Sequence, residues 1–504
     1  MSQKRIGILI TYLNLVMGMA VNIFLTPFLI VSLGDVDYSL YKVMQSFAGP
    51  LSMFHLGIST IVTRAIVQCG SRDGQAKRDK ENTLALALLA SGGMALLVFA
   101  AGLIMCMAIP SLYGQSYSAG SIVLAKKIFL LYLASTIIHM LTDAFSGCMV
   151  GHEKFAVTSS LQLCRTLFKA VLWVVLLKQG LGVLSVVLVE LVIAAATFLF
   201  SLGYAITVLR ERPRLYRLDG RMLMNIVSFG VAILLQAIVN QVNNNMDIMI
   251  LGAFVAEKAV ITMYSSALAI YSIYNALISV IANFFLPRAA NLVNRNASGE
   301  EITDFVIAPG RFQAAIAVAC VLGFALFGRN FIAIWIGEKY LDAYWVTLML
   351  MIPVTIPLVE NAMIAVLDAS LKRIYRSITL VIMAVLNVAV SCCLVGILGF
   401  WGAAIGTLTS LLAGHGLLMN LYYARTFGLQ VGRMFKSIFQ GILPAGLAAS
   451  AITLPMALFL PDTLVLFLVK CGSFMLVYGI FLLSFGLNPR EKKSVLNMLP
   501  RNRR

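Results

Sequence analysis

Four basic side chains set in apolar sequence carry the most chemical interest: Arg64 in IVTRAIV, Arg165 and Lys169 four residues apart in LCRTLFKAVLW, and Arg311 in APGRFQAAIA. An arginine at the centre of a bilayer costs about 2.5–3.5 kcal/mol on insertion scales, so each needs a partner or an aqueous cavity. Two readings follow. Snorkelling from a helix end suits Arg311 best and the Arg165/Lys169 pair least. The other reading is an anion site: a unit positive charge about 6 Å from a phosphate charge gains on the order of 3 kcal/mol at an effective dielectric of 20, before desolvation. Two or three such charges would hold a pyrophosphate, which makes Arg64, Arg165, Lys169 and Arg311 the candidate diphosphate ligands.

Acidic groups also lie within apolar runs. Asp143 falls on a stripe with Tyr132, Ser135, His139 and Ser146 at helical spacing, while Asp247 and Glu360 sit in later runs, with Glu190 and Asp368 as further acids. Such acids either pair with a base, for example Asp143 with Arg165 or Lys169, or exchange protons or cations. Uncharged polar residues form stripes too: Asn14, Gly18 and Asn22; Gln45, Gly49, Ser52, Ser59 and Thr63; Gln236, Asn240, Asn244 and Asp247; Ser272, Asn275, Ser279 and Asn283. Taken singly these read as interhelical hydrogen-bond glue. Taken together they read as the walls of a hydrated cleft, since amides facing lipid would each cost several kcal/mol. No GxxxxGK[ST], HExxH or GxSxG string occurs, so neither nucleotide-driven transport nor these hydrolytic chemistries is expected of the chain. The four histidines are dispersed and the eight cysteines show no CxxC spacing, so no metal, disulfide or cofactor is expected.

The elements that must position these residues follow from composition. Of 504 residues, 60% are apolar and only 12% charged, with a mean hydropathy of +0.93. That excludes a water-soluble globule and is enough for about fourteen spans of ~20 residues. Apolar runs place them near 6–32, 39–68, 83–109, 122–150, 156–178 and 181–208, then 222–253, 261–287, 305–336, 342–369, 375–398 and 400–424, then 435–460 and 463–486. The first run is too long for a signal peptide and lacks a cleavage site, so it is read as a span. The net charge of +17 is scattered between spans instead of lining one polar face, so it argues topology and not nucleic-acid binding. Lys77, Arg78, Lys80, Lys154, the 210–221 connector, Arg288, Arg295, Lys372, Arg373, Arg425, Arg433, Lys436 and the tail all fall on one side. By the positive-inside rule both termini are cytoplasmic.

A repeat recurs at an offset of about 218 residues: Leu33-Gly34 against Leu251-Gly252, and Lys154 against Lys372. The expected fold class is therefore an all-α polytopic membrane protein of about fourteen transmembrane helices, with two pseudo-symmetric six-helix lobes in parallel repeat plus two C-terminal helices. The expected divisions are 1–209, the basic connector 210–221, 222–430, 431–486 and a basic tail 487–504. A substrate path between the two copies follows from that arrangement.

Several strings carry a family likeness: LGDVDYSLYKVMQSF, GHEKF, NNNMDIMILGAF, YSSALAIY with FLPRAANL, FGRNFIAIWIGEKYLDAY and GILGFWGAAIGTLTSLL, in order over about residues 5–430. Together they resemble the polysaccharide-biosynthesis branch of the multidrug/oligosaccharidyl-lipid/polysaccharide exporter superfamily, the flippases of lipid-linked oligosaccharides. The resemblance implies two lobes forming a V around a cationic cavity in a bacterial inner membrane, and transport by alternating access coupled to a proton or sodium gradient. The implied substrate is an undecaprenyl-diphosphate-linked glycan such as an O-antigen or other surface-polysaccharide repeat unit. The implied partners are that lipid-linked oligosaccharide, membrane lipids, the coupling ion and other polysaccharide-assembly proteins. On this picture Asn14, Asn22, Gln45, Gln236, Asn240, Asn244, Asn275 and Asn283 line the cavity, Arg64, Arg165 and Lys169 hold the diphosphate, and Asp143, Asp247 and Glu360 serve ion coupling or pairing. A multidrug/cation antiporter of the same superfamily is the nearest rival, and a membrane-embedded assembly component without transport activity is the more distant one. Basic groups at depth favour the flippase.

Overall fold

The computed structural model of the chain describes residues 3–52, 58–68, 74–217, 220, 239, 241, 243, 245–279, 285–370, 372–489 and 491–492. These are helical almost throughout, with no strand among the described residues. Helix is what long apolar runs must adopt, because in hydrocarbon only an intra-segment ladder satisfies every backbone N–H and C=O. The chain separates into two compact units, Met1–Thr262 and Met263–Arg504.

The first unit opens with α1, Gln3–Ser52, which Gly34 breaks in two with φ +71° and ψ 171°. That φ is open to glycine and strained for any residue with a Cβ, so this one position makes the corner between the first two expected spans. The second span resumes as α2 (Ile58–Gln68), followed by α3 (Gly74–Tyr113), α4 (Ala119–Gly151), α5 (Phe155–Lys178), α6 (Val183–Thr207) and α7 (Asn245–Phe254). Ile58, Val62 and Ile66 of α2 pack with Ala144, Phe145 and Cys148 of α4, Leu84 and Ala87 of α3 and Ala205 of α6. The contact is close because of Gly147, where a Cβ would stand 2.5 Å from the Ser59 carbonyl oxygen. Thr63 Oγ1 donates to the Gly147 carbonyl at 3.0 Å across the same crossing.

The basic connector after α6 is docked on α3. Tyr216 donates its hydroxyl to Glu81 Oε2 at 2.6 Å, and the backbone N–H groups of Tyr216 and Arg217 donate to Asn82 Oδ1 at 2.8 and 3.1 Å. Glu211 meets His152 at 3.3 Å.

In the second unit follow α8 (Lys258–Ser279, which starts in the first unit), α9 (Leu286–Asn294), α10 (Gly299–Trp335), α11 (Ala343–Val359) and α12 (Asn361–Ala369). Then come α13 (Arg373–Leu398), α14 (Phe400–Leu411), a π-helical stretch Leu412–Met419, α15 (Asn420–Phe427), α16 (Val431–Phe439), α17 (Ile442–Phe459) and α18 (Leu464–Phe481). Ser298 and Glu301 form a reciprocal cap that starts α10. Pro353 and Pro357 weaken the end of α11, and the chain bends 43° there before α12. The core of this unit joins Val306 and Ala314 of α10 to Val359, Met363 and Val366 and to Met434, Ile438, Phe474 and Tyr478.

Among the described residues, eleven helices are long and apolar enough to cross a membrane, or twelve if the bent α11/α12 pair is one span. The expected fourteen is not reached because spans 6–32 and 39–68 share α1 and most of 222–253 lies outside the described residues. Much apolar surface points outward: Val31 and Phe459 are more than four-fifths exposed, and only 11% of the apolar window of α5 is buried. In water, surface of this kind would be unstable at about 25 cal/mol per Å². Acyl chains must cover it, and the chain is a multi-pass membrane protein.

Candidate functional site

The first unit gathers charge around one face of α5. Gln162, Arg165, Thr166, Lys169 and Trp173 recur every three or four residues, so one helix presents all five in a column. Opposite stands α6, which contributes Glu190 and Ile193. The two helices are fixed to each other by Trp173, whose Nε1 donates to the Val186 carbonyl at 2.9 Å. Between them Gln162, Arg165, Thr166, Lys169, Glu190 and Ile193 enclose a cavity of about 150 Å³.

Its electrostatics are positive with one built-in neutraliser. Lys169 Nζ donates to Glu190 Oε1 at 3.1 Å, with the two side chains 32% and 18% exposed. The same ammonium lies 4.9 Å from the Trp173 ring centroid. Arg165 Nη2 donates to His139 Nε2 at 3.4 Å, and Glu190 and Asp143 both lie within its electrostatic reach. From α1, Lys42 adds a third cation, 5.5 Å from the ring centroids of both Tyr38 and Tyr41 and near enough to Lys169 to repel it. Tyr41 in turn packs edge-on against Trp173 at 6.3 Å and lies tilted against Tyr132 at 6.2 Å. Guanidinium and ammonium groups with amide and hydroxyl neighbours at the cavity wall can receive a multiply charged oxyanion.

The expected residues distribute as follows. Arg165 and Lys169 meet in this cavity, but the partner of Lys169 is Glu190, not Asp143. Asp143 lies near Arg165 on α4. Arg64 is exposed on α2 and does not line the cavity. Asn14 is buried, donating to the Ser159 carbonyl at 2.7 Å, which is the glue role between α1 and α5; Asn22 and Gln45 are exposed on α1. Asp247 is buried on α7. Asn275 accepts from Ser279 Oγ at 3.1 Å. Gln236, Asn240, Asn244 and Asn283 lie outside the described residues.

Glu360 is buried at the α11/α12 bend, its Oε1 without a hydrogen-bond partner among the described residues. Asn420, which lies near enough to interact with it, has its own Oδ1 unpartnered among the described residues, while its Nδ2 donates to the His415 carbonyl at 3.0 Å in the π-helical stretch.

Arg311 requires a correction. Instead of facing an anion, it sits in the core of the second unit and spends all five N–H donors internally. Nε and Nη2 take Glu491 at 2.7 and 3.2 Å, Nη1 takes the Ser437 and Gln440 carbonyls at 2.6 and 2.9 Å, and Nη2 also takes the Gly486 carbonyl at 2.7 Å. No donor is left for a phosphate. The sequence pattern does not single out Lys42, although Tyr38, Tyr41, Lys42 and Gln45 share one helical face, and it reads Glu190 as an acid that pairs or exchanges a proton or cation without naming Lys169 as its partner.

In the first unit, then, a charged cavity stands between two membrane-length helices. The chain resembles several solved structures across most of its length. One is the lipid II flippase MurJ in an inward closed conformation, at a TM-score of 0.73 and 15% identity, covering 94% of this chain and 97% of that one. Another is an inward-facing multidrug resistance MATE transporter, at 0.65 and 16%, covering 83% and 98%. A eukaryotic MATE transporter matches at 0.59 and 12%, covering 86% and 98%. At these identities the likeness is one of fold. No curated protein matches the sequence at a significant level. The family model of polysaccharide biosynthesis proteins matches residues 74–345, more than half of the chain. The chain belongs to that family, and its fold is the one seen in the MurJ and MATE structures.

Proposed function

We propose that the protein flips an undecaprenyl-diphosphate-linked oligosaccharide, a surface-polysaccharide or O-antigen repeat unit, across the bacterial inner membrane by ion-coupled alternating access, with both termini in the cytoplasm. The observation that carries this reading is the α5/α6 cavity, lined by both Arg165 and Lys169, with Lys42 near enough to Lys169 to repel it. A diphosphate is the part common to all such lipid-linked glycans, and a fixed pair of cations recognises it without reading the sugars. The membership in the polysaccharide biosynthesis family supports the substrate class. Asp143, Glu360 and Asp247 remain the candidates for coupling to a proton or sodium ion, Glu360 because its buried carboxylate has an oxygen with no partner among the described residues, which is costly unless it carries a proton or a cation.

A second reading has its own observation. Glu190 within electrostatic reach of Tyr41 and Tyr132, with Trp173 packed on Tyr41, would suit an organic cation, as in a multidrug antiporter. Complementation separates the two. In a strain lacking its own flippase, the chain should restore surface glycan, and Arg165→Ala with Lys169→Ala should abolish the rescue at equal protein level in the membrane. Drug resistance without glycan export would favour the antiporter and end the flippase reading.

A further inference from the structure

The best-formed contact in the α5/α6 cavity is the one that neutralises it. A site meant to attract an anion holds its own anion, Glu190, at 3.1 Å from the ammonium of Lys169, inside the same walls. Glu190 lies in the middle of the apolar run VVLVELVIA, where a carboxylate is costly and needs a reason. Simple structural pairing is a poor one, because α5 and α6 are already joined by Trp173 and the Val186 carbonyl.

Resting on the diphosphate reading above, we propose that Glu190 is the resident counter-ion of the site: substrate diphosphate and the Glu190 carboxylate are alternative ligands of Lys169, and the return of Glu190 drives the head group out. Three features argue for exchange instead of shared occupancy. The cavity of about 150 Å³ is lined by both residues, so an incoming diphosphate would sit at contact distance from the carboxylate and be repelled by it. Lys169 is on a flexible four-carbon stem and is a third exposed, so its ammonium can turn from one oxyanion to another, as a guanidinium fixed by a fork would not. Arg165, one turn away and held by His139, stays in place to receive the second phosphate. A carrier must release what it binds. Lys42, Arg165 and Lys169 without a competing anion would form a trap, and Glu190 makes the site reversible.

The test uses the full chain in nanodiscs with geranylgeranyl diphosphate as the binding probe, and proteoliposomes with a fluorescent prenyl diphosphate for turnover. Glu190→Gln removes the competitor while keeping the shape. Because the pair is partly solvated, its removal should tighten probe binding by roughly twofold to fivefold and slow turnover. Glu190→Asp, with a shorter reach, should fall between wild type and Glu190→Gln, and it carries the test if the glutamine variant does not fold. In a Lys169→Ala background the gain from Glu190→Gln should shrink to what the relieved repulsion of the probe and the lost field at Arg165 supply. Wild-type binding with equal or weaker binding by Glu190→Gln would overturn the proposal, as would a gain that persists undiminished without Lys169. If wild type itself binds no prenyl diphosphate, the anion-site reading fails and this inference falls with it.

Discussion

Arg311 offers the sharpest separation of architecture from substrate binding. Its guanidinium is 5% exposed and ties α10 to the α16/α17 junction, to the end of the last span at Gly486, and to Glu491, which is 27% exposed. Arg311→Ala leaves three carbonyls and a carboxylate unanswered, and removing one partner of a buried pair costs about 3–5 kcal/mol. Glu491 reaches solvent, which places the expected loss toward the lower end. Arg311→Lys keeps the charge but cannot reproduce a five-donor fork, and should cost about 1.5–3 kcal/mol. Thermal unfolding of the purified chain in detergent, read beside prenyl-diphosphate binding by the folded fraction, gives both answers. The expected result is a lowered melting temperature, larger for Ala than for Lys, with affinity unchanged. Wild-type melting combined with lost binding would refute the assignment and return Arg311 to the substrate site.

Other outcomes follow from single contacts. Gly147→Ala puts a Cβ 2.5 Å from the Ser59 carbonyl oxygen and 3.0 Å from Val62 Cβ, so it should destabilise the first unit by about 1–3 kcal/mol in thermal unfolding. Tyr216→Phe deletes the 2.6 Å bond to Glu81 and should cost about 0.5–1.5 kcal/mol, seen as faster proteolytic nicking of the 208–217 segment. A cysteine replacing the exposed Arg214, in a background without the native cysteines, should react with a membrane-impermeant maleimide from the cytoplasmic side alone. Labelling from outside would reverse the topology.

Much of the fold was legible because the bilayer leaves few choices. Long apolar runs had to be helices, and the Leu33-Gly34 break fell where the structure puts a positive φ. What could not be read was pairing. Arg311 and Glu491 are 180 positions apart, so nothing local to APGRFQAAIA announces that its arginine is already engaged. Arg165 and Lys169 were visible from their i, i+4 spacing. Lys42 was not, because in LGDVDYSLYKVMQSF it follows a polar stretch and looks like a charge at a span's edge. Glu190 was seen as an acid at depth, but its bond to Lys169 depends on how α5 and α6 pack, and α4 offered Asp143 as an equally plausible partner. Asn14 shows the same limit: one stripe of amides serves a helix contact at one position and is exposed at the next.

The central claim is that the α5/α6 cavity grips a diphosphate through Arg165 and Lys169. Direct titration of the nanodisc-embedded protein with geranylgeranyl diphosphate tests it, comparing wild type with the Arg165→Ala, Lys169→Ala double variant. Removing two charge-assisted contacts, each about 1.5–3 kcal/mol, should weaken Kd by at least roughly a hundredfold in the folded fraction, while the melting temperature falls because Glu190 loses its partner. Equal affinity in a folded double variant would place the diphosphate elsewhere and contradict the account.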